Sequence, residues 1–352
     1  MDDTVKPDTK ATLADAVNDI LNVIEHERER EIITRRFGLF DRRETLEQIG
    51  ELLGITRERV RQLEKAILVR LRNIASEDKL PAIHDVERTL IRDLSETGRV
   101  ARIHDITERL IGKDHDARHR AHIAFIAELS PNIVVLSESD NYHHAIGISE
   151  HGDEKQIKSH VDEIVKTIKK HGEPLQIEEL HARLSHENPA QVRALASTSK
   201  HLANLKDNWG LAKWPTVNPK NIRDKIYVIL LENGNPMHFS DIAKAIKGSS
   251  FKRKDVTTQA IHNELIKDKR FVLIGRGIYA LDHWGFSKGT VADIITDVLT
   301  KANEPLHRDE IVKRVLKSRQ VKETTILLNL QSKSQFKRVA KATYTVEVPK
   351  AA

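Results

Sequence analysis

The chain has 352 residues, no cysteine, and 58 Lys/Arg against 52 Asp/Glu, which leaves a net charge of +6. The lack of cysteine excludes disulfides and cysteine-ligated zinc and suits a cytosolic protein; no apolar run is long enough to span a membrane or to form a signal-peptide core. Charged residues make up 31% and aromatics 4%, so several small domains with aliphatic cores are expected, not one large domain.

Residues 1–26 read as a short acidic lead. From Met1 to Glu27, Asp2, Asp3, Asp8, Asp15, Asp19, Glu25 and Glu27 stand against Lys6 and Lys10. A distinct module follows over 27–76. Thr45 with Gln48 makes a capping-box start. Leu46, Ile49, Leu52 and Leu53 recur at helical spacing, so this first helix is expected to bury that face. Gly54 ends it, and Thr56 is placed to cap the next. The second helix is expected to bury Val60, Leu63, Ile67, Leu68 and Leu71 as one stripe. Glu58, Gln62 and Lys65 stand opposite the stripe, Arg59 and Arg61 flank it, and Arg57 sits in the first turn. A short helix, a glycine turn and a basic second helix make the helix-turn-helix layout, whose second helix enters the major groove. Arg suits bidentate contact with guanine, Glu accepts from cytosine, and Gln pairs with adenine.

The segment RRFGLF, then TLEQIGELLGI, then TRERVRQLEKAILVRLR closely resembles region four of the bacterial sigma-70 family, in which this helix reads the upstream promoter hexamer. The resemblance runs from about Glu27 to Asn73. It implies base contacts by Arg57, Glu58, Arg61 and Gln62, and phosphate contacts by Arg28, Arg36 and Arg59. Lys65, on the same outer face, joins them as a phosphate-contact candidate. Sigma factors melt promoters with an aromatic-rich segment ahead of region four. Here the acidic lead stands in that place and no Trp occurs before Trp209, so no promoter-melting region is expected.

A phrase then recurs. HGEPLQIEEL (171–180), NGNPMHFSDI (233–242) and ANEPLHRDEI (302–311) share a Pro, a following apolar residue and an acidic–apolar pair opening a helix; GRVARIHDI (98–106) is a weaker copy. Each follows an apolar helix: Val86–Leu94, Ile157–Ile168, Ile222–Leu231 and Val291–Leu299. The copies lie about 60–75 residues apart, the size of a small domain. They set the expected domains at 77–150, 155–216, 219–286 and 287–349. The third copy is the clearest. After its first helix come a second with Ile242 and Ile246, a basic loop from Gly248 to Asp255, and a third helix with Ile261 and Leu265. Two strands, Phe271–Ile274 and Ile278–Leu281, close on Gly275-Arg276-Gly277 as a hairpin. Three helices and a hairpin make a winged helix-turn-helix. The fold class is therefore expected to be mainly α: a helix-turn-helix module, then tandem winged helix-turn-helix domains with short β-hairpin wings.

The endings WGLAKWP and RGIYALDHWGF resemble the HARE-type winged helix known from the delta subunit of bacterial RNA polymerase. In the third copy, Lys252, Arg253, Lys254, Gln259, His262, Asn263 and Arg276 are candidate DNA contacts; surface residues of a module used only for protein contacts would read the same way. Charge divides the chain. Residues 28–72, 219–285 and 286–352 carry +4, +5 and +6, whereas 73–218 carry −4. The ends suit phosphate backbones, and the middle suits protein partners.

His115, His119 and His122 share one face if helical, which is a spacing that imidazoles use for zinc, but Arg118 and Arg120 crowd them and no metal site is expected. No phosphate-binding glycine loop, nucleophile elbow or paired carboxylate site occurs. No enzyme activity, cofactor or small-molecule substrate is expected. The residues point to a bacterial, cytoplasmic, nucleoid-associated transcription protein that binds promoter-like duplex DNA, the RNA polymerase core, or both, away from membranes. Three other readings stay open: a delta-like polymerase accessory subunit acting by protein contacts, a sequence-tolerant chromosome-coating protein, and an accessory of DNA modification.

Overall fold

Leu13, Val17, Ile20 and Ile24 repeat every three or four residues, and all four are buried. Helix α1 (Thr9–Asn22) therefore presents one apolar face. Asp15 and Asp19 lie on its exposed side. The segment expected to be only an acidic lead thus contains a core helix. The computed structural model describes residues 9–77, 79–251 and 255–346. The chain divides into two units, Met1–Lys213 and Trp214–Ala352.

In the first unit, α1 packs on α5 (Pro81–Thr97) and α7 (Ala117–Leu129). The helix-turn-helix consists of α2 (Glu27–Phe37), α3 (Leu46–Leu53) and α4 (Arg57–Ser76). It has a small core of its own, Ile32, Ile49 and Val60, with Leu46, Leu53, Ile55 and Leu63 half-buried around it. The far half of α4 belongs elsewhere. Ile67, Leu71 and Ala75 join Ile33 and Leu39 in one continuous core with α1, α5 and α7. The sequence changes motif at residue 76, but the packing does not break there. Each of these large aliphatic side chains contributes about 1.5–3 kcal/mol by leaving water, so the shared core ties the two modules into one folding unit.

Four successive segments repeat one order: helix, short strand, helix, helix, hairpin. The first is α5, β1 (Val100–Arg102), α6 (Ile103–Ile111), α7, β2 (Ile133–Leu136) and β3 (Ala145–Ile148). The second is α8 (Glu154–His171), β4 (Leu175–Gln176), α9 (Ile177–His181), α10 (Pro189–Thr198), β5 (Leu202–Leu205) and β6 (Asn208–Leu211). The third is α11 (Ile222–Asn233), β7 (Met237–His238), α12 (Phe239–Gly248), α13 (Thr258–Lys267), β8 (Phe271–Gly275) and β9 (Ile278–Leu281). The fourth is α14 (Val291–Ala302), β10 (Leu306–His307), α15 (Arg308–Ser318), α16 (Glu323–Ser332), β11 (Phe336–Ala340) and β12 (Thr343–Val346). Each sheet is antiparallel, with the last strand in the middle: β1-β3-β2, β4-β6-β5, β7-β9-β8 and β10-β12-β11. This is winged-helix topology, four times over.

The recurring phrase encodes the first strand and the start of the second helix. Its apolar residue pairs with the central strand: Leu175 with Trp209, Met237 with Tyr279, Leu306 with Tyr344. The helix before it ends on a left-handed residue, Gly172, Gly234 or Asn303. That conformation is open to glycine and tolerated by asparagine.

Within each unit, one wing closes on the following repeat. The β2–β3 loop is hydrogen-bonded to the second repeat: His143 N–H donates to the Thr198 carbonyl at 2.8 Å, and Lys200 N–H to the Asn141 carbonyl at 2.8 Å. Tyr142 Oη donates to Asp162 at 2.7 Å, and Lys200 pairs with Glu138 at 2.9 Å. In the second unit, Gln320 N–H donates to the Ile274 carbonyl of β8 at 3.1 Å. Gly275 permits that approach, because a Cβ there would lie 2.7 Å from the Gln320 oxygen. Among the described residues no helix is long and apolar enough to cross a membrane.

Candidate nucleic-acid interface

Local chemistry fixes the turn before α4. Thr45 and Gln48 form a reciprocal capping box, with bonds of 2.9 and 3.3 Å. Gly54 closes α3 in the left-handed region at φ 66°. A Cβ on Gly50 would meet the Ile55 carbonyl at 2.7 Å, so α3 and the turn approach too closely for a side chain there. The Thr56 hydroxyl accepts from Arg59 N–H at 3.2 Å and starts α4. Val60, Ile67 and Leu71 then hold the helix from below. Leu63 and Leu68, on the flanks of the stripe, are half-buried.

On α3 the expected buried face is corrected at one position: Leu52 is 55% exposed. At 3.6 residues per turn, Leu46, Ile49 and Leu53 cluster within one face, and Leu52 falls on the far flank of Ile49.

Arg57, Glu58, Arg59, Arg61, Gln62 and Lys65 are all exposed on the first turns of α4. They are cross-linked to one another and to α3. Arg57 pairs with Glu47 at 2.8 Å. Arg61 grips both Glu58 oxygens, at 2.7 and 2.9 Å. Gln62 donates weakly to Glu58 at 3.5 Å, and Arg59 to Gln62 at 3.4 Å. The Arg61 guanidinium holds the Glu58 carboxyl below its ordinary range, so Glu58 is an acceptor only near neutral pH. Exposed ion pairs of this kind add little to stability. They limit the rotamers of these side chains. Glu47, the partner that α3 supplies, has no signature in the sequence. Its role follows from the placement of α3 against α4.

The phosphate-contact candidates divide. Lys65 and Arg59 stand exposed beside the base-contact candidates. Arg28 is exposed and donates to the Leu53 carbonyl at 3.2 Å, at the end of α3. Arg36 is half-buried. It reaches both Glu64 oxygens at 3.1 and 3.2 Å and the Glu44 carbonyl at 3.4 Å, bracing α2 against α4. In the third repeat, Gln259 and Asn263 are exposed and hydrogen-bonded to each other at 3.1 Å. Arg276 is exposed at the β8–β9 turn. His262 is not on that exposed face; it is half-buried, with its ring against Phe239 and Tyr279. Lys252, Arg253 and Lys254 lie outside the described residues.

The three histidines at helical spacing do not converge. His122 is buried and donates through Nε2 to the Leu39 carbonyl at 2.8 Å. His119 completes the capping box of α7 with Asp116. The His115 ring lies against His104. Among the described residues no group of three His, Asp or Glu is arranged to hold a metal ion.

The family model for sigma-70, region 4, matches residues 26–73 of this chain. The RNA polymerase sigma factor SigA of a Bacillus species is 41% identical over 69 residues, which is 19% of this chain and 18% of that protein. The RNA polymerase sigma factor RpoD of Helicobacter pylori is 44% identical over 75 residues, 21% of this chain and 10% of that protein. The match thus spans less than a fifth of either relative, and the residues of the family model fall on the helix-turn-helix.

Proposed function

We propose that the protein acts in bacterial transcription, with α4 reading promoter-like duplex DNA and the same module offering a surface to RNA polymerase. One observation carries this reading: Arg57, Glu58, Arg61 and Gln62 stand exposed together on the first two turns of a capped helix whose opposite face is anchored in the core. An Arg–Glu–Gln set on one face matches the donor and acceptor patterns of major-groove base edges. Phosphate contacts by Arg59, Lys65 and Arg28 would fix its register. The winged repeats are of HARE type in this reading. In this reading the module is assigned to DNA reading. No catalytic role is assigned. The protein would work in the cytoplasm, on the nucleoid.

A delta-like accessory role through protein contacts is the second reading. It draws on the β2–β3 wing, which is acidic and occupied by the second repeat, and therefore unsuited to a groove. Footprinting on promoter DNA and on random DNA, together with co-purification of polymerase from the native cell, separates the two. A footprint confined to promoters supports the first reading. Polymerase capture with no footprint supports the second.

A further inference from the structure

The tip of the β2–β3 hairpin joins three parts of the first unit. Tyr142 pairs with Ser199 as an antiparallel bridge. His143 N–H donates to the Thr198 carbonyl, and Lys200 N–H to the Asn141 carbonyl, both at 2.8 Å. The His201 ring is bonded to the Asn141 side chain at 2.8 Å. The His144 carbonyl accepts from Ile103 N–H at 3.0 Å, which ties the same hairpin to the start of α6. With these bonds made, α10 of the second repeat lies against β1 and α5 of the first. The seam is tight: a Cβ on Gly98 would overlap the Ala190 carbonyl and crowd the Ala194 side chain.

Two consecutive imidazoles lie in this junction, both half-buried. His143 faces Arg102 of β1, Asp105 of α6, Lys200 of the second repeat and Glu138 of its own loop. His144 faces Arg43 of the α2–α3 loop and Glu138. Both carboxylates are already engaged. Asp105 accepts from two nitrogens of Arg102, at 2.6 and 2.8 Å, and Glu138 pairs with Lys200 at 2.9 Å. A proton on either ring therefore adds a cation beside Arg43, Arg102 and Lys200, and among the described residues the carboxylates that face it already hold other cations. Burial, the largest cause, and these neighbouring cations hold both imidazoles below the ordinary value near 6.5. Both rings are thus neutral at about pH 7.5.

We infer that the β2–β3 hairpin is a pH-sensitive clasp, and that protonation of His143 and His144 releases the second repeat from the first. Away from the junction both rings return to the ordinary range, so protons bind the open form before the closed one. The clasp is complete above about pH 6.5 and weakens as pH falls. Opening frees the Ala190–Ala194 face of α10, the third helix of its repeat. The clasp is independent of DNA reading by α4. The competing account is that the rings only fill space and acid unfolds the whole unit at once.

Hydrogen exchange of the full chain, followed by mass spectrometry at about pH 7.5 and about pH 5.5, separates the two. Labelling times are scaled for the slower intrinsic exchange in acid. Peptides covering 138–144 and 196–203 report the clasp, and peptides from α1 report the shared core. The parent is expected to lose about tenfold or more in protection at the clasp on acidification, and far less in α1. His143→Gln/His144→Gln should keep its clasp protection at both pH values, and protection equal to the parent at the higher pH verifies that it folds. Glu138→Gln removes the carboxylate that both rings face, so its clasp should open nearer neutral pH; this variant decides if the Gln pair fails to fold. His122→Gln, whose ring bonds the Leu39 carbonyl instead, should open as the parent does. Unchanged clasp protection in the parent, the same fall in the Gln pair, or an unmoved opening in Glu138→Gln would overturn the assignment. A fall of equal size in α1 would show acid unfolding of the whole unit and overturn it too.

Discussion

Glu58 and Arg61 are neighbours on an exposed helix face and pair with each other. The residues proposed to read DNA therefore add little to stability, and the buried residues that hold the helix are not placed to touch DNA. Ile67 is buried and Leu63 half-buried. Ile67→Ala is expected to cost about 2–5 kcal/mol and Leu63→Ala less, because only part of its side chain leaves water. Gln62→Ala should fall within about 0.5 kcal/mol of the parent. Urea unfolding of the three variants checks this, and a Gln62→Ala loss as large as that of Ile67→Ala would mean the helix faces are assigned wrongly. His122 adds a pH dependence. Burial holds its imidazole below the ordinary value near 6.5, as it does for His143, His144 and His186 of the same unit. As pH falls, protons bind the unfolded chain before the folded one. The stability is thus complete above about pH 6.5 and declines below it. Thermal melts at about pH 7.5 and about pH 5.5 should show the loss, and His122→Gln should reduce it. The same slope in that variant would assign the effect to the other histidines.

At the level of elements, the turn between α3 and α4 sets the angle at which α4 projects. Gly50 is the tightest point, since its missing Cβ is what lets the Ile55 carbonyl approach. Gly50→Ala is expected to cost about 1–3 kcal/mol by forcing the two apart. It should weaken DNA binding in proportion, as read by chemical unfolding beside anisotropy; wild-type stability in this variant would contradict the packing described. The caps and turns here were legible in the sequence, because Thr45, Gln48, Gly54 and Thr56 act on residues only a few positions away. So were the strands of the third repeat, where Gly275-Arg276-Gly277 marks the hairpin. The burial of α1 was missed although Leu13, Val17 and Ile20 recur at helical spacing. The acidic residues of the whole lead drew attention, and the partners of that apolar face, α5 and α7, lie far along the chain. Leu52 failed for a related reason: in an eight-residue helix the apolar set is wider than the face that has a partner.

For the whole molecule, the shared core of the first unit decides where the chain tolerates a cut. Ile67, Leu71 and Ala75 of α4 pack with α1, α5 and α7. A fragment ending at Glu77 is expected to lose cooperative unfolding, whereas 1–213 should keep it. Calorimetry of the two fragments decides, and an independently folded 1–77 would refute the shared core. The charge asymmetry along the chain was legible from composition alone, but its allocation was not. Which wing is closed by its neighbour depends on contacts such as Lys200 with Asn141 and Gln320 with Ile274, and no local pattern announces them.

The central claim is that α4 reads base sequence. Selection of bound duplexes from a random pool, with the full chain and with Arg57→Ala/Arg61→Ala, tests it most directly. The parent should enrich one short motif, and the variant should lose about 1–3 kcal/mol on that motif and relax the bases opposite the missing side chains while still binding DNA weakly. Enrichment of the same motif by both proteins, or of none by the parent, would contradict the claim.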